Sequence, residues 1–483
     1  FTAKDISSKK LVALKGISAN NLDSTEILVT KENLNIAGNF ENKGKVSTNK
    51  KLNIGGRLEN SGDIQALDNI SVKENTLNSG NILTNGFFTT KDLKNEKVLS
   101  AKNNITVNKL ENNGKIVTGK DLIVKDNLLN TSKIEAIGNI KVTKNVLNTG
   151  DILTNGHFSA KDTKTTKSLV AKEGITVDNL DNDGIITTSG NLNITGDFKN
   201  KTQVLTNKEL NVKGRLENSG NIQATDKISV LENVLNTGEI LTNGKFTAKD
   251  ISSKKLVALK GISVNNLTNT ETIATNENLD IAGNFENKGK VSVNKSLNIG
   301  RRLENIGDIQ ALDNISVKEN TLNKGNILTN GIFVSKDLKN EKVLSAKDSI
   351  TVNKLENSGK ILTGKDLVVK DNLINSSKIE AIGNIKVSEN VLNAGDILTN
   401  GSFSAKDTKT AKSLVAKEGI SVNNLESKGI VATNKELNIK GRLENSGNIQ
   451  ATDKISVLEN VLNSGEILTN SSFTSKDIKT TKK

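Results

Sequence analysis

One stretch of the sequence has the residue types of a phosphate-binding loop. Residues 114–121 read GKIVTGKD, and a second copy at 359–366 reads GKILTGKD. Such a loop needs Ser or Thr after the Lys to reach magnesium, and a following helix whose N-terminus holds the phosphate. Both copies have Asp there, at Asp121 and Asp366, and continue with the pattern of a strand. We therefore predict glycines at chain corners and no nucleotide site.

The only histidine, His157, could act as a base or as a metal ligand. It follows an Asn-Gly pair in the sequence Asn-Gly-His-Phe. The positions equivalent to it in the repeats described below hold chemically unrelated residues, namely Phe87, Lys245, Ile332 and Ser402. A metal site needs several ligands from one neighbourhood. We therefore predict that His157 is a solvated turn residue and not part of a metal site.

An enzyme that cleaves a polysaccharide would need acidic side chains clustered on one face, often with a bound calcium ion or an arginine beside them. The arginines recur at one position of the motif Gly-Arg-Leu-Glu-Asn, at Arg57, Arg215 and Arg442. A residue that follows a structural period is more often a surface contact than a catalyst. The acids are scattered, as at Asp92, Asp121 and Asp151, and lack the dense aspartates of calcium-binding repeats. We predict that the chain is not an enzyme and holds no cofactor or metal.

The composition excludes further chemistry. The 483 residues include no Cys, Met, Pro, Trp or Tyr, which excludes thiol catalysis, disulfides, Cys-ligated zinc and haem held by Cys or Met. No stretch approaches the roughly 18 apolar residues of a membrane span, so no transmembrane segment is predicted. Because the chain opens on Phe1 without a Met or a signal peptide, we expect it to be an internal part of a longer polypeptide.

The net charge of +13 could attract sulfated glycans, lipopolysaccharide or nucleic acid. The lysines, however, alternate with acids, as in Lys91-Asp92 and Lys161-Asp162, and aromatic residues make up only 2% of the chain. A single-strand binder would need aromatic side chains for base stacking. We therefore predict a solvated charged surface and no nucleic-acid partner.

The chain is a tandem duplication. Residues 1–16 recur without change at 246–261, and the alignment continues beyond them, so the copies span 1–245 and 246–483. Sub-modules start near residues 88, 158, 333 and 403, each opening on a Phe. The second copy lacks one short repeat, equivalent to about Thr188 to Leu205 of the first. We predict one continuous domain over 1–483.

A shorter repeat of 17 or 18 residues lies inside each copy. It reads φ-x-φ-x₃₋₄-φ-x₀₋₁-Asn-x-Gly-x-φ, where φ is apolar, as in residues 52–64 (LNIGGRLENSGDI). Alternating apolar residues in short runs that are rich in β-branched side chains indicate strands. Helical repeats need about 33 residues or more and a period of 3.6. The pattern predicts an all-β fold, a right-handed parallel β-helix (solenoid) of about 27 turns in an elongated rod.

The asparagine of this repeat is the clearest predicted side-chain feature. Stacked amides one turn apart can each donate to the carbonyl of the next, whereas Asp would place like charges about 5 Å apart. Asn also tolerates left-handed backbone geometry at the corner, and we expect a positive φ at the Gly two residues later. The alternative is an Asn-rich surface that binds glycans. The predicted structural ladder consists of Asn42, Asn60, Asn78, Asn95, Asn112, Asn130, Asn148, Asn182, Asn200, Asn218 and Asn236.

The repeats at residues 58–64 (LENSGDI), 110–116 (LENNGKI) and 216–222 (LENSGNI) resemble those of filamentous haemagglutinins. That resemblance implies a large exoprotein of Gram-negative bacteria, exported by two-partner secretion through an outer-membrane transporter. It implies a right-handed β-helix that is secreted or lies at the cell surface in association with the outer membrane. The partners it implies are host-cell glycans or receptors, or other bacteria.

Three functions follow as alternatives. The first is the rigid shaft of an adhesin, which projects a binding region and gives weak multivalent attachment. The second is the stalk of a contact-dependent toxin-delivery exoprotein. The third, from another class, is a β-helical enzyme that acts on glycans.

Overall fold

The computed structural model describes residues 1–481 and divides the chain into two compact units, Phe1–Gly244 and Lys245–Lys483. Each unit is a parallel β-solenoid, and the two units together contain about 27 turns. The described residues form strands, turns and bends but no helix. The predicted all-β parallel solenoid is therefore confirmed.

A standard turn has three short strands, which we call faces A, B and C. In the turn that begins at residue 34 they are Leu34–Ile36, Phe40–Asn42 and Lys45–Thr48. The connections are the A–B corner (residues 37–39), the B–C corner (43–44) and the C–A corner (49–51). Each of these corners contains Gly or Asn, residue types that favour tight turns.

In the first unit the face A strands are Leu34–Ile36, Leu52–Ile54, Ile70–Val72, Phe88–Thr89, Ile105–Val107, Leu122–Val124, Ile140–Val142, Asn191–Ile194, Leu210–Val212 and Ile228–Val230. The face B strands are Phe40–Asn42, Leu58–Asn60, Thr76–Asn78, Asp92–Asn95, Lys109–Asn112, Leu128–Asn130, Val146–Asn148, Phe198–Asn200 and Leu216–Asn218. The face C strands are Lys45–Thr48, Asp63–Ala66, Asn81–Thr84, Val98–Ala101, Lys115–Thr118, Lys133–Ala136, Asp151–Thr154, Ser168–Ala171, Ile185–Thr188, Gln203–Thr206 and Asn221–Ala224. Longer strands that run through a corner are Thr2–Ala13, Ile17–Thr30, His157–Thr165, Gly174–Asn182 and Val234–Thr242.

In the second unit the face A strands are Leu279–Ile281, Leu297–Ile299, Ile315–Val317, Leu367–Val369, Ile385–Val387, Leu437–Ile439, Ile455–Val457 and Phe473–Thr474. The face B strands are Phe285–Asn287, Leu303–Asn305, Thr321–Asn323, Leu373–Asn375, Val391–Asn393, Leu443–Asn445, Val461–Asn463 and Ile478–Thr480. The face C strands are Lys290–Val293, Asp308–Ala311, Asn326–Thr329, Val343–Ala346, Lys360–Thr363, Lys378–Ala381, Asp396–Thr399, Ser413–Ala416, Ile430–Thr433, Asn448–Ala451 and Glu466–Thr469. The longer strands are Phe246–Ala258, Ile262–Thr275, Phe333–Asn340, Ile350–Asn357, Phe403–Thr410 and Ile420–Ser427.

Every strand pairs in parallel with its equivalent one turn away, so chemically matching residues lie side by side. Leu34 pairs with Leu52 on face A, Phe40 with Leu58 on face B, and Val46 with Ile64 on face C. Because side chains alternate across a strand, this register keeps the apolar positions inside and the polar positions outside along the whole stack.

The core of each unit is a column of apolar side chains from all three faces. Face C contributes a fully buried Val, Ile or Leu in every turn except the first and the last, such as Val46, Ile64 and Ile82. Burial of each such side chain contributes about 2 kcal/mol to the stability of the folded state. The largest fully buried side chains are phenylalanines, at Phe40, Phe88, Phe158, Phe198, Phe246, Phe285, Phe333 and Phe403.

Two threonines at one inward position of face B differ in hydrogen bonding. Thr163 is buried and its hydroxyl has no hydrogen-bond partner, whereas the Thr76 hydroxyl donates to Oγ1 of Thr90 at 2.9 Å. We expect Thr163→Val to stabilise the fold by about 1 kcal/mol and Thr76→Val to destabilise it by about as much, because only the second substitution removes a bond. Thermal unfolding of both variants is the measurement, and a lower midpoint for Thr163→Val would contradict this account.

Candidate interaction surface

The asparagines of the predicted ladder lie at the inward end of face B, where the chain turns into face C. Asn42, Asn60, Asn78, Asn95, Asn112, Asn130, Asn148, Asn182, Asn200, Asn218 and Asn236 are all buried. Nδ2 of Asn42 donates to Oδ1 of Asn60 at 2.7 Å, and Asn60 donates to Asn78 at 2.8 Å. An equivalent hydrogen bond between asparagines recurs in every following turn as far as Asn148. The amide of Asn148 then donates to Oγ1 of Thr165 at 3.0 Å. A second run joins Asn182 to Asn236.

Each amide of this column also bonds to the backbone at the B–C corner. Nδ2 of Asn112 lies 2.8 Å from the Gly114 carbonyl and 3.2 Å from the Lys133 carbonyl, besides 2.7 Å from Oδ1 of Asn130. One side chain therefore fixes its own corner and the corner of the next turn. Its burial inside the solenoid argues against the alternative of an Asn-rich glycan surface for this column.

Eight of these eleven asparagines are followed two residues later by Gly, and the other three by Lys97, Ser132 and Thr202. The role of this glycine differs from the expected one. Among residues 1–481 only Gly174, Gly261 and Gly419 have a positive φ, and none of them follows a ladder asparagine by two residues, so the expected positive φ at this Gly was wrong. Close approach of backbones is the reason for Gly: a Cβ at Gly44 would lie 2.2 Å from the Glu26 carbonyl oxygen. The Asn needs no left-handed backbone because it ends a regular strand.

Side chains at the other two corners form columns that the sequence analysis missed. At the A–B corner the Oδ1 of Asn21 accepts the backbone N–H of Asn39 at 2.9 Å, and Oδ1 of Asn39 accepts that of Arg57 at 2.9 Å. At the C–A corner Oδ1 of Asn139 accepts the N–H of His157 at 2.8 Å. The Asn excess therefore serves three corners. The recurrence of Asn21 and Asn39 one repeat apart was a signal for the second column.

The three repeated arginines occupy the last position of the A–B corner, where their backbone N–H groups are held by the preceding turn. The acceptors are Oδ1 of Asn39 for Arg57, of Asp197 for Arg215 and of Asn424 for Arg442. The Arg215 guanidinium also lies 3.2 Å from Asp197. The Arg215 backbone N–H, followed by its side chain, lowers the pKa of the Asp197 carboxyl.

His157 begins a strand at the C–A corner and is half-buried, so the description as a solvated turn residue was incomplete. Its Nε2 lies 3.0 Å from Oγ1 of Thr176, and its ring lies against Gly174 in the next turn. Burial lowers the pKa of His157, against a smaller opposing effect of Glu173. Glycine leaves room for the ring at this position, which the sequence around His157 does not show.

The remaining candidates for chemistry are not brought together. Gly114 and Gly119 flank the strand Lys115–Thr118 and lie against carbonyl oxygens of the turn before, as a corner requires. Of the three scattered acids, Asp92 accepts the Lys109 N–H at the A–B corner and Asp121 accepts the Asn139 N–H at the C–A corner. The third, Asp151, lies on face C, where Lys167 and then Ser168 lower the pKa of its carboxyl.

Open recesses lie along the A–B corner of the first unit. Three of them enclose about 610, 360 and 530 Å³ in chain order. The recess of 530 Å³ is lined on the corner side by Asp162, Asn179, Asp197 and Arg215, and on face B by Lys164, Asp181, Lys199 and Glu217. Positive and negative side chains alternate along it, so neither charge is concentrated in the recess.

Exposed ion pairs between neighbouring turns account for much of the charge. Examples are Lys50 with Glu32 at 2.6 Å and Lys167 with Asp151 at 2.7 Å. Over residues 1–481 no three His, Cys, Asp or Glu side chains converge as metal ligands would. Within the same residues no apolar helix of membrane-spanning length occurs.

Comparison with known protein families gives a match to part of the chain. A family model described as FapA, the flagellar assembly protein A β-solenoid domain, matches residues 21–183. No curated protein and no solved structure matches the chain. The resemblance to filamentous haemagglutinin repeats was wrong, because the model that matches belongs to a different solenoid family. The motif misleads because apolar alternation, a corner Asn and a close-packed Gly are what stacking favours in such a turn.

Proposed function

We propose that this chain is a non-catalytic solenoid scaffold that holds the segments joined to it at a fixed separation, as the shaft of an adhesin does. The observation that carries the proposal is the set of hydrogen-bonded side-chain columns at all three corners. Within each unit these columns tie a turn to the next, in addition to the ladders of the three faces. Such a stack resists bending because displacing one turn breaks bonds at several places at once.

The arrangement of charge supports a passive role. A catalytic pair of acids needs carboxyls with separated pKa values in a shared cleft. Here most acids whose pKa departs from its usual value, such as Glu96, Glu135 and Asp348, have it lowered by hydrogen bonds from exposed Lys or Ser side chains. They face solvent from different corners and faces, which is the distribution of a solvated surface.

Short corners support a position outside the cell, secreted or at the bacterial surface. Proteases cut extended, mobile loops. The corners here have two or three residues, and backbone groups such as Gly62 N–H and Asp63 N–H bond to the turn before. A shaft of this kind would survive extracellular proteases, and its repeated faces would allow weak attachment at many points.

Surface labelling and adhesion assays test this proposal together. We expect an antibody against the chain to stain intact cells of the source organism. Deletion of the gene segment should reduce attachment to host cells or to other bacteria, and leave swimming motility unchanged. Staining that appears only after the cells are permeabilised, with attachment unchanged, would overturn the surface role.

A scaffold in flagellar assembly is the second candidate, and the match of residues 21–183 favours it. On this alternative the same stack would hold assembly components in place. Loss of flagella in the deletion strain, with normal attachment, would support it over the adhesin shaft.

A further inference from the structure

The outward side chains at the centre of face B form a straight column with an ordered pattern of charge. Through six consecutive turns of the first unit, register pairs each member with the next. The six members are basic, acidic, apolar, apolar, basic and acidic in turn: Lys94, Glu111, Leu129, Leu147, Lys164 and Asp181.

This column is complementary to its own reverse. If a second copy lies antiparallel on face B, the first member faces the last, the second faces the fifth, and the two central members face each other. The facing pairs are two leucines flanked on both sides by opposite charges: Leu129 with Leu147, Glu111 with Lys164, and Lys94 with Asp181. In a twofold interface each pair of facing residues occurs twice, once from each copy. A column that complements its own reverse can therefore bind a second copy of itself.

The second unit carries the same pattern at the equivalent turns, although its residues differ. Its column is again joined by register and reads Lys339, Glu356, Ile374, Leu392, Lys409 and Glu426. Asp181 is replaced by Glu426 and Leu129 by Ile374, so the charge and the apolar character are kept while the side chains change. The apolar pair is exposed, with Ile374 at 45% and Leu392 at 53%.

The neighbouring column at the A–B corner follows the same rule. Under the same rotation Lys109 faces Asp162 in the first unit, and Lys354 faces Asp407 in the second. The residues in the middle are asparagines in both units, Asn127 with Asn145 and Asn372 with Asn390. Within one chain Oδ1 of Asn127 and of Asn372 accepts the backbone N–H of the next Asn, so across the interface these two residues would donate from their amide N–H groups to Asn145 and Asn390. Two adjacent columns are therefore self-complementary about the same point.

The column on the B–C corner side differs between the two units. At its ends the first unit would place Glu96 opposite Asp183, which repel each other, whereas the second places Glu341 opposite Lys428. The patch of the second unit is therefore the better self-complement.

We propose that face B, at these six turns of either unit, binds a second copy of this chain in antiparallel orientation. Charge complementarity argues for a copy as the partner, because a copy always presents this order of charges in reverse. The same charges also pair along the column within one chain, Lys94 with Glu111 at 3.6 Å and Lys164 with Asp181 at 3.5 Å, so a copy would extend ion pairs that are already formed. The outermost side chains of the patch lie about 24 Å apart, at about 4.8 Å per turn. A patch of this size lies at the low end of specific interfaces, so we expect a weak, concentration-dependent dimer.

Charge reversal with cross-complementation tests the proposal on the full chain. One variant carries Lys164→Glu and Lys409→Glu, and the other carries Glu111→Lys and Glu356→Lys. In sedimentation velocity we expect the unsubstituted chain to dimerise as its concentration rises, less so in high salt. Each variant alone should bind itself about tenfold or more weakly, because like charges then face each other. An equimolar mixture of the two variants should dimerise again, since each then offers the charge that the other lacks.

A matched control reverses the same number of charges elsewhere, with Lys102→Glu and Lys347→Glu at the C–A corner, and should dimerise like the unsubstituted chain. Circular dichroism confirms that each variant is folded. A chain that stays monomeric at every concentration, or a mixture of the two variants that associates no better than either alone, would overturn the proposal.

Discussion

Replacement of Asn112 by Asp should destabilise the first unit by about 4 kcal/mol at pH 7. Asn112 is fully buried, donates to Asn130, Gly114 and Lys133, and accepts from Asn95 at 2.8 Å. A carboxylate of the same shape keeps the bond from Asn95 but turns three hydrogen bonds into contacts between oxygen atoms. Urea unfolding followed by far-UV circular dichroism measures the loss.

The cost of Asn112→Asp should depend on pH in a definite direction. Burial and the neighbouring carbonyl oxygens raise the pKa of this carboxyl in the folded state above its unfolded value of about 3.9. Below about pH 3.9 the carboxyl is protonated in both states and can donate one hydrogen bond, so most of the loss disappears. As pH rises through the pKa of the folded state, the loss of folding stability grows to its full size.

The control for this substitution is Asn108→Asp, in the same turn but exposed. It adds the same charge in water, and we expect a change within about 0.5 kcal/mol that varies little with pH. If Asn112→Asp and Asn108→Asp had equal effects, the amide column would not be a source of stability.

Replacement of Gly62 by Ala should cost about 3 kcal/mol. A Cβ at Gly62 would lie 2.0 Å from the Gly44 carbonyl oxygen and 2.8 Å from the Gly44 carbonyl carbon. Both atoms are backbone, so the clash can be relieved only by moving two turns apart. That movement would also strain the bond from Asp63 N–H to the same oxygen, now 2.8 Å. Thermal unfolding measures the effect.

Gly16→Ala is the matched control, because the nearest atom to a Cβ there is the Asn33 carbonyl oxygen at 3.1 Å. We expect a change within about 1 kcal/mol, since a small adjustment is enough and Ala restricts the unfolded chain. Equal midpoints for the Gly62 and Gly16 variants would contradict the role given to close backbone approach.

The fold could be predicted from the sequence because each turn repeats the same local rules. Alternating apolar residues such as Leu52 and Ile54 specify a strand with one inward face, and a constant repeat length specifies parallel register with the next turn. A globular fold spreads this information over distant contacts. In a solenoid the nearest neighbour in space is always one repeat away in sequence.

The site could be predicted only in part. The B–C column uses one residue type and stands out, whereas the C–A column changes from Asn104 to Asp121 to Asn139, which hides its single role as acceptor. The conformation at Gly44 could not be predicted either. Gly is used both for positive φ and for close packing, and only the distance between turns decides which applies.

The same ambiguity explains the error about the family. The sequence of residues 58–64 is what stacking favours at a corner, where Asn60 bonds along the axis and Gly62 lies on the Gly44 backbone. Unrelated solenoids that solve the same packing problem converge on such a motif. The motif therefore predicts the turn and carries little information about ancestry.

The central claim, a scaffold that sets distance by its number of turns, can be measured inside the first unit. The chain has no Cys, so the substitutions Ser61→Cys and Ser219→Cys would introduce its only two thiols, and each would take one spin label. Both positions are exposed at B–C corners. Nine turns separate them, and pulsed electron paramagnetic resonance should give a narrow distribution near 43 Å, at about 4.8 Å per turn.

The decisive measurement repeats this experiment after deletion of residues 189–206, the turn that the second unit lacks. There Ser413 pairs with Ile430 and Ile420 with Leu437, which shows that the flanking strands stack directly without it. We predict a folded chain with an equally narrow distribution near 38 Å, one turn shorter. An unchanged distance, or a broad distribution in either chain, would contradict the account.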